Sequence, residues 1–477
     1  MNPTPLPYKI LALAPFAPML EERFKPWFVQ VDLYSMDEAI EKLSPVLYLP
    51  LPVDQCPEGA VTLKFKSIKE FKPASILKNY LQPAFRIKEK ASPPVMPGKD
   101  ERPVSPIDDI LSMVATPDSS LESTGRHDAG DGSAMLKEIF SNPDFQKTES
   151  AWRGLQTLIK KAEIKGFEKI QVSISSVSHK CLETVLDAIE ALPYDEIPNL
   201  VLIDLGFDNT QPSIENLEKI IGFADRMLLP VCLWIRPEFF SIENWNRLHK
   251  IQYIKHHLDD MAYAKFRKLK TLSGAPWLMV LANSFAVRPA HEYEDAPLFV
   301  SPVWGLGTLC AESVTDSGWP MGFTKYNRYK LNDLALSVCD ETNTASTQAL
   351  FSDDRIMQMV EAGITPIAGS KNKDIAFIPR EASLSGDSIK FQMFINRVIE
   401  SLLHLREKTV SDEPEDDIRA ALTHLFTQTG HPGPSNIEVI KSGKASAEEK
   451  IFHISFVPPE TVLLNSGKIE FTFAWQP

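Results

Sequence analysis

Asn142-Pro-Asp-Phe-Gln-Lys-Thr-Glu-Ser-Ala-Trp-Arg-Gly-Leu155, running on through Thr157-Leu158-Ile159, is the stretch around which the 477 residues organise. Ile139, Phe145, Trp152, Leu155, Leu158 and Ile159 recur at helical spacing, which predicts an amphipathic helix with an interruption near Pro143. Proline suits the first helical position, where its missing N–H has no partner to lose. Asp144 and Glu149 lie toward the helix start, and Lys160 and Lys161 at its end, as the helix dipole favours. Phe145 and Trp152 are the expected core anchors, and Arg153 points sideways.

Working outward, composition sets the class. An apolar fraction of 43% and a charged fraction of 24% are globular values, and the length allows more than one domain. Formal charge is -13, from 50 basic and 63 acidic residues. No dense run of Lys and Arg appears, which argues against a nucleic-acid stripe. The cysteines Cys56, Cys181, Cys232, Cys310 and Cys339 are widely spaced, forming neither a CxxC site nor a disulfide ladder. Met1 to Pro7 lacks the basic and apolar regions of a signal peptide, and no run approaches the roughly 20 apolar residues of a membrane span. A cytoplasmic protein without membrane insertion is the expectation.

The patterning predicts an α/β chain of mixed α+β character in four parts. Residues 1–90 read as a small αβ domain: strands at 8–14, 28–33 and 60–65, and a helix from Met36 with Ser35 and Glu38 as a capping box. Residues 91–132 are rich in Pro, Gly and Ser and read as a linker, with one short helix at 106–114. Residues 133–410 alternate strands and helices (170–175, 182–189, 200–206, 214–227, 229–235), the rhythm of a partly parallel, helix-covered sheet. Residues 411–477 give a helix and then a β-rich tail with runs at 437–440, 450–456 and 468–475.

Candidate chemistry is sparse. His256-His257 with Asp259-Asp260 is the densest metal-like cluster, but adjacent residues on a helix diverge by about 100 degrees and cannot form a paired ligand set. Asp204, at the end of an apolar strand, with Asp208 nearby, is the one place where an αβ metal enzyme could hold a divalent cation. Gly305-Leu-Gly307 lacks the Lys and Ser/Thr of a phosphate loop, and Ser175, Ser176 and Ser178 lack a nucleophile elbow. No catalytic residue, cofactor or metal is expected.

Met135-Leu-Lys-Glu-Ile-Phe140, Pro143-Asp-Phe-Gln146 and Glu149-Ser-Ala-Trp-Arg-Gly-Leu155 resemble, in order, the signature near the start of the large contractile-sheath subunit of type VI secretion systems. Trp304-Gly305, Ser317-Gly-Trp319 and Ala362-Gly-Ile-Thr-Pro-Ile367 extend the likeness. Lys9-Ile-Leu-Ala-Leu-Ala-Pro-Phe16, Leu43-Ser-Pro45 and Leu63 to Pro73 are similar to the small subunit of the same sheath. The chain thus looks like a shortened small-plus-large fusion.

The resemblance implies a structural polymer, not an enzyme. Copies pack into a helical, six-start cylinder around an inner-tube protein and complete one another's sheets by strand exchange. In the family, baseplate components trigger contraction and an AAA+ ATPase recycles the product; for this chain, recycling by such an ATPase stays open. Phe145, Trp152, Gly154 and Leu155 carry the signature. Arg153 is a candidate for an interprotomer or domain-level ion pair, and Glu470, Phe471, Thr472 and Phe473 for an exchanging strand. Gly206 and Lys270 to Pro276 depart from the family wording, and the small subunit's helical half is reduced to 76–132. Two other readings remain: a non-polymerising adaptor or cap on a related assembly, and the enzyme using Asp204 and Asp208.

Overall fold

The computed structural model describes residues 6–18, 25–51, 59–81, 128–339, 343–408, 414–444, 450–464 and 467–475. Most of the expected linker, with its 106–114 helix, lies outside the described residues, as does Cys56. In chain order the main elements are β1 (Tyr8–Ala14), β2 (Val29–Val31), α1 (Met36–Leu43), β3 (Val46–Pro50), β4 (Ala60–Lys64), α2 (Asp128–Ser141) and α3 (Pro143–Lys161). Then come β5 (Ile170–Ser176), α4 (Leu182–Glu190), β6 (Leu200–Phe207), α5 (Gln211–Met227), β7 (Val231–Ile235), β8 (Leu278–Ala282), β9 (Phe285–Arg288) and β10 (Leu298–Val300). The rest are α6 (Pro302–Ser317), α7 (Asp353–Glu361), β11 (Ile364–Pro366), α8 (Ile389–Lys408), α9 (Pro414–Thr427), β12 (Ser435–Lys444), β13 (Lys450–Val457) and β14 (Ile469–Trp475).

A seven-stranded sheet in the order β11-β8-β7-β6-β1-β5-β2 forms the centre, parallel except for β2. This corrects the expectation that 1–90 is a domain of its own. β1 lies between β5 and β6, with Leu11 opposite both Ser173 and Val201. The reason is visible in β1 itself: Ile10, Ala12 and Ala14 face one core and Leu11 and Leu13 the other. A strand apolar on both faces must be central.

Helices cover both faces. α3 and α6 pack on the face carrying Ile10, Val172, Leu202 and Met279. α4, α5, α7 and the short helices between β7 and β8 cover the face carrying Leu11, Val201, Leu233 and Val280. A third cluster joins α8 and α9 to the antiparallel sheet β12-β13-β14, with the Trp319 ring stacked on Phe394 and Phe426. α7 ends before Gly363, whose φ of 79° brings its α-carbon so close to the Leu384 carbonyl that a side chain would not fit. The expected capping box at α1 is absent: Ser35 makes no side-chain cap bond, and Asp32 Oδ1 instead accepts from Tyr34 N, Ser35 N and Ser35 Oγ.

Candidate functional site

α3 starts as its sequence dictates: Asn142 Oδ1 accepts from Asp144 N at 2.9 Å and Phe145 N at 3.3 Å, with Pro143 at the first position. Phe145, Trp152 and Leu155 are fully buried. Trp152 Nε1 donates to the Phe16 carbonyl at 2.9 Å, and the two rings lie 4.7 Å apart. Phe65 and Phe71 stack at 4.0 Å and pack on Phe145 at 6.1 and 5.9 Å. The residues that carry the two sequence resemblances therefore meet in one aromatic core.

Gly154 explains itself against α6. A methyl group there would stand 2.3 Å from the Trp304 ring, so glycine is what lets the two helices close on each other. Gly305 and Gly307 have the same use, against Ile367 and Leu202; neither belongs to a phosphate loop.

Glu149 sits on the buried stripe four residues after Phe145 and three before Trp152. Arg288 grips it through two bonds, Nε to Oε1 at 2.9 Å and Nη2 to Oε2 at 2.8 Å, and Arg288 Nη2 also reaches Glu294 Oε1 at 2.9 Å. Despite burial, the two carboxylates hold the Arg288 pKa above the ordinary arginine value. Arg153 completes the cluster, 3.3 Å from Glu149 Oε1 with 16% of its side chain exposed. This ion pair is made within the chain. A second buried network ties β1 to α8: Lys9 Nζ lies 2.9 Å from Glu400 Oε1, with Arg397 and Asn199 on Oε2. Burial pushes Glu400 up, but Arg397 and Lys9 prevail and lower it. Sequence reading missed Arg288, Glu294 and this second network. Glu149 was the available signal, an acid on an apolar stripe that demands a buried partner.

The enzyme reading of Asp204 and Asp208 finds no support in the geometry. Asp204 is buried on the α6 side of β6, where it accepts from Trp304 Nε1 at 2.7 Å. Burial raises its pKa, opposed by the polar ends of Ser301, Trp304 and Trp234. Indole N–H groups only donate, so this is a pocket for the carboxylate and not a cation cage. Asp208 has separate partners: burial pushes it up, but Thr210, Ser213 and Arg236 prevail and hold it at about 2. His257 Nε2 is turned to Tyr263 OH at 2.9 Å, and no metal-holding group of His, Cys, Asp or Glu occurs among the described residues.

The tail sheet has a regular open strand edge. β14 pairs with β13 in unbroken register from Ile469 to Trp475, and its other side meets no strand among the described residues. Glu470 and Thr472 face outward, Phe471 is half-buried, and Phe473 is buried in the third core, so Phe473 is not a surface residue. β12, the opposite edge, is irregular, with register shifts after Ser435 and after Lys441. Bulges of that kind discourage edge pairing, and β14 has none. A groove of about 580 Å³ runs beside β14, lined by Phe391, Ile395, Leu464 and Phe471 among others.

The fold is thus an α/β body with a glycine-closed helix pair and an open-edged tail sheet. Residues 132–385, more than half of the chain, match the family described as EvpB/VC_A0108, tail sheath N-terminal domain, and the chain belongs to that family. It is 22% identical over 210 residues to the type VI secretion system sheath protein TssC1 of Pseudomonas aeruginosa. That match spans 40% of this chain and only 40% of the relative. Two cryo-EM structures of the anti-feeding prophage are also similar. The six-fold symmetrised baseplate gives 9% identity and a TM-score of 0.37, over 69% of this chain and 77% of the other. The contracted helical sheath gives 9% and 0.34, over 68% and 77%. No helix among the described residues is long and apolar enough to cross a membrane.

Proposed function

We propose that this chain is a structural, self-assembling protomer of a contractile-sheath-like polymer in a type VI secretion-like injection apparatus. It works in the cytoplasm around an inner-tube protein, meets baseplate components and performs no catalysis. Membership of a tail-sheath family over residues 132–385 carries this reading. The open, unbulged β14 supports it physically, because an edge with free backbone donors and acceptors is a template for a strand from another copy. We infer in addition that residues 6–81 serve as a small sheath subunit fused to the large one. The support is that β1 lies inside the body's sheet, between β5 and β6, and that Phe16, Phe65 and Phe71 pack on the signature helix.

The test is negative-stain imaging of the purified full-length chain, with mass photometry on the same samples. Tubes or six-fold rings are the expected result. Uniform monomers at every concentration would reject a self-sufficient protomer and favour the adaptor.

A further inference from the structure

Charge is unevenly distributed over the helical layer that covers one face of the sheet. Within this layer the crossover from β7 to β8 is basic: residues 247–270 contain seven Lys and Arg against two Asp. Apolar residues of this segment, among them Leu248, Ile254, Phe266 and Leu269, are buried against the sheet, while Lys250, Lys255 and Lys268 are exposed. None of these three lysines has an ion-pair partner among the described residues. Lys270 beside them is lowered from the ordinary lysine value, chiefly by burial and then by Lys255, with Asp259 opposing.

The other flank is the reverse. Residues 183–196, on α4 and the turn after it, contain five Asp and Glu and no Lys or Arg. Asp187, Asp195 and Glu196 are exposed and their carboxylates have no cation partner among the described residues. α5 lies between, packed against α4 on one side and against the helix 264–269 on the other. Strand order fixes this separation, because α4 leads from β5 to β6, α5 from β6 to β7, and the basic crossover from β7 to β8.

We propose that the basic crossover of one copy docks on the acidic α4 flank of the next, through Lys250, Lys255 and Lys268 against Asp187, Asp195 and Glu196. This rests on the self-assembly reading and names its lateral contact. The occupant is a second copy because the complementary surface is on the same chain, on the opposite flank of one layer. Such a contact is heterologous: each copy offers a different face to each neighbour, so the contact propagates into a ring or helix and does not stop at a dimer. Opposite charges also fix register and suppress wrong contacts.

The test uses two full-length triple variants, a basic-face reversal (K250E, K255E, K268E) and an acidic-face reversal (D187K, D195K, E196K). Their sedimentation is measured alone and mixed, at ionic strengths on the order of 0.05 and 0.5 M. The wild type should associate, more weakly at the higher salt. Each variant alone should sediment as a monomer, because its two faces now carry like charge. The equimolar mixture should recover association, since the two altered faces complement each other and the two unaltered ones still do. That recovery also shows that both variants fold. Variants that each associate like the wild type, or a mixture that stays monomeric, would overturn the docking while leaving the self-assembly reading intact. A wild type that is monomeric throughout would overturn that reading itself.

Discussion

Glu149 is the residue on which the signature helix depends for its polar fit. Its carboxylate is 1% exposed and meets two guanidinium groups, so replacing it leaves buried positive charge facing a hydrophobic core. Breaking a buried pair from one side costs about 3–5 kcal/mol, and Glu149→Ala is expected at the low end because Arg288 keeps Glu294. Urea unfolding would read this as a lower midpoint, and an unchanged midpoint would contradict it. Glu312 on α6 behaves differently: burial, then Asp316, raise it from 4.5 to about 7, with Lys161 opposing. The folded state therefore holds a proton that the unfolded state releases between those values. Stability from this group is present at low pH, is lost as pH rises through that window and stays lost above it. Glu312→Gln should flatten that limb and leave the variant more stable than the wild type above neutral pH. Thermal unfolding from pH 5 to 8 tests the sign. At this scale the sequence was legible where side chains are apolar: Phe145 and Trp152 stand out by spacing alone. Arg288 and Glu294 were not legible, because a buried ion pair between residues 139 apart leaves no local pattern.

Elements meet through contacts that composition does not reveal. Gly154 could be read as a helix-weakening residue, yet it sets the approach of α3 to α6. Gly154→Ala would drive a methyl group into the Trp304 ring and disturb that indole's bond to Asp204, an overpacking cost of about 1–3 kcal/mol. Denaturant titration should show the loss, and a fully stable variant would mean that α6 can slide. β14 makes a kinetic prediction. If copies add strands at its edge, backbone amides in 469–475 should exchange more slowly in the assembled state than in the monomer, while bulged β12 should change little. Hydrogen-exchange mass spectrometry compares the two, and equal rates in 469–475 would remove β14 from the assembly contact. Strand and helix identities in the body were readable because their apolar periods are clean. The place of β1 was not, because an apolar run says that a strand is buried on both sides without saying beside which partners.

At the scale of the whole molecule, the notable feature is a sheet with an interior strand that arrives from far away in sequence. Leu11 pairs beside Ser173 and Val201, and between β1 and those strands lies most of the expected linker. A central parallel strand has no stable alternative on its own, since it needs neighbours on both edges and apolar cover on both faces. The connection brings together an extensive surface: β1 between its two neighbours, Trp152 bonded to the Phe16 carbonyl, and Lys9 beside Glu400. If the amino-terminal part is a subunit fused to its partner, cutting the connection should leave the complex intact. Residues 1–100 and 101–477, produced together, are expected to copurify with a melting profile close to that of the uncut chain, lowered by the entropy of bringing two chains together. Produced alone, 101–477 would lack its central strand and expose the faces of β5 and β6, and should aggregate or be degraded. Co-purification by a tag on the shorter fragment, followed by circular dichroism, distinguishes the outcomes. Fragments that never associate would mean that the fold depends on the connection being covalent, and the two-subunit reading would fall.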